Sequence, residues 1–116
     1  MRFKLIIALV NDDVTDDIIE ASRKAGAKGA TIINNARGEG LESSKTFFGM
    51  SLTQQSELVL MLVEEHLSRD VLETISEVGK FDDSTGTGIA FQIDVEDAVG
   101  VSHQIKTLKK EIEDKL

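Results

Sequence analysis

The chain contains no cysteine, proline, tryptophan or tyrosine. Without thiols it forms neither disulfides nor thiolate metal sites, which fits a reducing cytoplasm as its location. Positive charge is scarce: 13 Lys and Arg stand against 21 Asp and Glu, a net charge of −8. Nucleic acid and anionic membrane surfaces select for clustered cations, so neither is an expected partner. No apolar run approaches the ~18 residues that a spanning helix needs, so the chain is not expected to be membrane-embedded. The charged start leads into six apolar residues at 5–10 with no small-residue cleavage site after them, so no signal peptide is expected. A length of 116 residues suits one domain, 1–116, with a modest core.

What is present is a repeat. Residues 4–26 and 57–79 align without a gap, so that 4–10 falls on 57–63, 11–20 on 64–73, and Gly26 on Gly79. Each copy reads as strand, tight junction, helix. Thr15 and Ser68 are the expected N-caps, because a hydroxyl accepts a bond from an orphan first-turn amide. Asp16, Asp17 and Asp70 then complement the helix dipole, and Gly26 and Gly79 close the helices. Val14, Ile18, Ala21 and Ala25 recur at helical spacing, as do Val71, Ile75 and Val78, and these stripes are expected to face the core.

A second strand fits after each helix, at about 29–36 and about 87–95. The repeat units thus extend over about 4–36 and 57–95. Two βαβ units in series predict an α+β, ferredoxin-like fold: a four-stranded antiparallel sheet with both helices on one face. Residues 95–100 read as a short helical turn, and a last helix at about 102–115 carries the stripe Ile105, Leu108, Ile112 and Leu116. Residues 5–10 and 58–63 are apolar throughout instead of alternating. Both faces of these strands should therefore be buried, the second one by other copies of the chain in a closed homo-oligomer.

Between the repeats lies 37–56, a stretch with neither helical nor strand periodicity. A loop this long in a compact domain usually has a function of its own. Its Phe47, Phe48 and Met50, with Lys45 nearby, form a partner-binding patch or fold back onto their own subunit. Arg37-Gly38-Glu39-Gly40 and Thr85-Gly86-Thr87-Gly88 are glycine turns whose amides could face phosphate. Asp82-Asp83 could receive a metal or form a solvated turn. Two His without Cys give no zinc spacing, and no serine stands in a nucleophile motif. Asp12-Asp13 and Glu64-Glu65 fall at equivalent repeat positions, as junction and cap residues.

The order 36–40, 62–67, 85–91 and 94–99 resembles the PII signal-transduction superfamily, over about residues 3–101. The shared pattern is an R-G-x-G turn opening a long T-loop, a valine-rich strand with an acidic end, a glycine-rich B-loop, and V-E-x-A-V. The resemblance implies a ferredoxin-like homotrimer that binds a small effector in the clefts between subunits. It implies regulation of a transporter or enzyme through the arm at 37–56, and no catalysis. Arg37, Gly38, Glu39, Gly40, Thr85, Gly86, Thr87 and Gly88 would line the ligand site. No cofactor is obligatory; ATP, ADP, AMP or a cyclic nucleotide is the implied ligand. Basic positions of the family are replaced by Leu41, Gly88, Gly100 and Ser102, and its T-loop Gln and Lys by Glu42 and Ser56. Losing cations weakens triphosphate binding most. The loop tyrosine modified in some members is absent. The alternative is a CutA-like or other ferredoxin-like trimer that binds a metal or a non-nucleotide small molecule.

Overall fold

The computed structural model describes residues 1–37, 46–47, 50–51, 55–84 and 86–115. The elements are β1 (Phe3–Asn11), α1 (Thr15–Ala25), β2 (Thr31–Ala36), β3 (Thr46–Phe47), β4 (Met50–Ser51), β5 (Ser56–Glu64), α2 (Glu65–Gly79), β6 (Gly88–Val95) and α3 (Ser102–Lys115). Four of the strands form one antiparallel sheet in the order β2-β5-β1-β6. The two repeat strands are central and their second strands are the edges, as the ferredoxin-like reading requires.

Pleating sorts the continuous apolar runs into two faces. Ile6, Ala8 and Val10 of β1 and Val59, Met61 and Val63 of β5 are buried with Ile18 of α1 and Val71 and Ile75 of α2. The opposite face is equally apolar. Leu5, Ile7 and Leu9 pair with Leu62, Leu60 and Leu58 on one side and with Ile93, Phe91 and Ile89 on the other. Within the single chain Leu5, Ile7 and Leu9 are only half-buried, and Phe91 and Ile93 are each 46% exposed.

The helix ends depart from expectation. Val14, not Thr15, is the N-cap of α1 and makes no side-chain cap bond. Thr15 is already helical, and its hydroxyl donates to the Asn11 carbonyl at 3.5 Å. β5 runs straight into α2, so Ser68 lies inside the helix and donates to Glu65 O at 2.9 Å. The cap is Glu64, whose carboxylate accepts from the His66 amide at 2.8 Å. Gly26 does cap α1, but Gly79 is the last residue of α2 and Lys80, at φ 56°, takes the left-handed position. Gly79 instead makes room for Phe81, whose ring lies so close that a Cβ on Gly79 would be 2.2 Å from its Cε1. The buried stripe of α2 is Ser68, Val71, Ile75 and Gly79, which leaves Val78 42% exposed.

Three further differences concern the connections. Residues 95–100 form no helical turn: Val95 ends β6 and 96–100 are irregular. β2 carries a register shift between Ile33 and Ala36, with Asn35 at φ 61°. Thr46 pairs with Ser51 and Phe47 with Met50, so the arm holds a two-rung ribbon, too short to show a period in sequence.

Candidate functional site

The register gathers Arg37 and the turn before β6 at one end of the sheet. Ala36 pairs with Ser56, Ser56 with Asn11, and Val10 with Gly88. Arg37, the return of the arm at 55–56 and the turn before β6 therefore share that end. Four strands are about 14 Å across. Of the expected ligand set, Arg37, Gly86, Thr87 and Gly88 are placed here, whereas Gly38, Glu39, Gly40 and Thr85 lie outside the described residues. Phe47 and Met50 pair within the arm; Lys45 and Phe48 lie outside the described residues.

Asn11 joins the two loops. It closes β1, is 8% exposed, and donates from Nδ2 to the Gly86 carbonyl at 3.0 Å. Its Oδ1 is buried with no hydrogen-bond partner among the described residues. The next amide, Asp12 N–H, donates to Gln55 O at 3.1 Å, so one strand end holds both the turn and the returning arm. The turn is also braced internally: Thr87 Oγ1 shares its one proton between Lys80 O at 2.8 Å and Ser84 O at 3.1 Å. Sequence reasoning missed Asn11. Its signal was a polar residue ending an otherwise apolar strand.

Phe81 was missed as well, and it shapes the site. A Cβ on Gly88 would be 2.6 Å from Phe81 Cε1 and 3.0 Å from Leu9 O, and Gly88 has φ 153°. The ring thus fills the space beside both Gly79 and Gly88. By the resemblance, Gly88 stands where the family carries its phosphate lysine. Here that position is closed to any side chain while the ring stays in place.

The far end of the sheet carries a different polar cluster. Glu64 is 2% exposed, and its carboxylate meets His66 Nδ1 at 2.5 Å. That hydrogen bond, and then the carboxylate's charge, raise the His66 pKa above its usual value. Glu64, Glu65 and His66 place one donor atom each within 4.8 Å of one another. At 2.5 Å, however, the nitrogen and oxygen stand at hydrogen-bond distance, closer than two ligands of one metal ion stand. The positive end of α2 adds to the disfavour for a metal ion. Lys4 and Asp94 pair across β1 and β6, and this bond lowers the Asp94 pKa.

Comparison with known proteins agrees with the fold. No curated protein matches the sequence. A protein from Thermus thermophilus assigned to PII-like signalling matches in structure with a TM-score of 0.61 and 23% identity, over 82% of this chain and 87% of its own. CPII from Thiomonas intermedia, a nitrogen regulatory PII-like protein, matches in its apo form with a TM-score of 0.63 and 19% identity, over 82% of this chain and 90% of its own. CPII bound to ADP, AMP and bicarbonate matches with a TM-score of 0.61 and 19% identity, over 84% of this chain and 97% of its own. Among the described residues no helix is long and apolar enough to cross a membrane. The family described as nitrogen regulatory protein P-II matches residues 3–104, so the whole sheet and residues 37–56 and 85–88 fall within it, and the chain belongs to that family.

Proposed function

We propose that the chain is a non-catalytic trimeric regulator that binds an adenine nucleotide with few phosphates at the Asn11 end of the sheet. The ligand state is passed to a partner protein, a transporter or enzyme, through the arm at 37–56. The observation that carries this reading is the Asn11–Gly86 bond, which ties the glycine turn to the strand end from which the arm returns. A ligand seated there acts on both loops at once. The trimer rests on the unbroken apolar grid of the open face, a surface that water disfavours and a second copy covers.

The phosphate count follows from charge. Ser56, Gly100 and Ser102 bring no cation where the family does, and Phe81 excludes one at Gly88. A triphosphate without cations is poorly held in a chain of net charge −8. AMP and ADP, with fewer charges, fit the remaining glycine amides better. The binding of ADP, AMP and bicarbonate by CPII supports the same choice. Calorimetry against ATP, ADP, AMP, cyclic AMP, cyclic di-AMP and bicarbonate tests it. ADP or AMP should bind and ATP should bind more weakly. A confirmed trimer that binds none of them refutes the ligand, and a mass other than three chains refutes the assembly.

A further inference from the structure

A groove of about 510 Å³ lies between α2 and the first residues of β6. Half-buried Leu72, Phe81 and Ala90 form its floor, and exposed Glu77, Asp82 and Asp83 stand on its rim. Among the described residues lining it, Arg69 is the one cation, and Glu73 holds its Nε at 2.8 Å. The groove is thus apolar below and anionic above.

The complementary surface is in the same sequence. Residues 102–110 of α3 contain Lys106, Lys109 and Lys110 and no acid, an unusual stretch in a chain of net charge −8. Ile105 and Leu108 recur beside these lysines at helical spacing, whereas Ile112 stands between Glu111 and Glu113. An apolar stripe flanked by lysines matches an apolar floor rimmed by carboxylates.

Distance excludes the groove of the same chain. Ile105 lines a cavity with Phe3 and Val95, at the end of β6 away from Gly88. Lys110 is five residues beyond Ile105, about 8 Å along a helix. Gly88 is seven residues from Val95 along the strand, about 23 Å. A helix rooted at Val95 does not bring its lysines to Asp82 and Asp83.

We infer that α3 of one copy docks in the α2–β6 groove of a neighbouring copy, its lysines facing Glu77, Asp82 and Asp83. This rests on the reading that copies assemble. The absence of cysteine makes the test direct. A chain carrying Glu77→Cys and a chain carrying Lys109→Cys are co-expressed and oxidised, and disulfide-linked pairs are read on a non-reducing gel. A mixed pair should form. Raising the salt from about 0.05 M to about 1 M should cut its yield by about threefold or more, because screening shortens from about 14 Å to about 3 Å. Adding Lys106→Glu and Lys110→Glu to the Lys109→Cys chain should abolish the pair, and Asp82→Lys with Asp83→Lys in the other chain should restore it. Assembly by light scattering without a cross-link overturns the docking and leaves the assembly standing. A chain carrying both cysteines that closes on itself at high dilution also overturns it. A monomeric mass overturns the assembly and the docking with it.

Discussion

Replacing Glu64 by Gln separates the charge of the α2 cap from its shape. The amide oxygen can still accept from the His66 backbone, but the negative charge at the helix N-terminus is gone. A hydrogen bond to a charged acceptor contributes about 1 kcal/mol more than a neutral one, and a partly buried charge at a helix end contributes up to about 2 kcal/mol. The substitution also removes an ionised group from a 2% exposed position, which offsets part of the loss. The net expectation is destabilisation by about 1–2 kcal/mol, or a Tm about 4–10 °C lower at matched protein concentration. The pH dependence is the sharper signature. The folded-state pKa of His66 is raised. Its contribution is therefore fully present below the unfolded histidine value and is lost as pH rises through the folded one. The gap between wild type and Glu64→Gln should be widest in mild acid and shrink at alkaline pH. Denaturant melts at several pH values give the gap, and an NMR titration of the His66 ring follows its proton. A His66 titration that Glu64→Gln leaves unmoved would refute the reasoning, whatever the melts show.

Gly88→Lys, which puts back the family's cation, should cost about 1–3 kcal/mol by crowding Phe81, and calorimetry should show no gain for ATP; adding Phe81→Ala should let the lysine extend and raise ATP affinity. Gly79→Ala should destabilise by about 1–3 kcal/mol for the same crowding, and Phe81→Leu should recover part of that in thermal melts. Ile7→Lys places a charge at the centre of the open face and should reduce the mass seen by light scattering to one chain. Asn11→Leu removes the bond to Gly86 at a cost of about 1 kcal/mol, and should weaken nucleotide binding measured by calorimetry while leaving the assembly intact.

Most of the scaffold was legible because the chain states it twice. The gapless alignment of 4–26 with 57–79 placed both long strands and both helices, and the unbroken apolar runs foretold a second hydrophobic face. Helix ends were read less well. Ser68 looked like a cap by residue type, but β5 continues to Glu64 and leaves no gap for one. A carboxylate can cap as well as a hydroxyl, and Glu64, read as a junction and cap residue from its place in the repeat, takes that position. Gly79 looked like a helix stop, yet it leaves space for a ring two residues later. At the candidate site, the register that unites Arg37 with the turn before β6 followed from the fold, whereas the roles of Asn11 and Phe81 depend on contacts across 75 residues and across a turn. No local pattern encodes those.

Asn11 and Glu64 occupy the same position in the two copies of the repeat, and the antiparallel pairing of β1 with β5 carries them to opposite ends of the sheet. Eight strand steps, about 27 Å, separate them. If the repeat arose by duplication, one ancestral strand end has been inherited twice and put to two trades, a bond to the glycine turn before β6 at one pole and a helix cap at the other. Substitutions at the two poles should then combine independently, since they share no neighbours at that distance. A change at the Asn11 end can thus accumulate without loosening the Glu64 cap of α2.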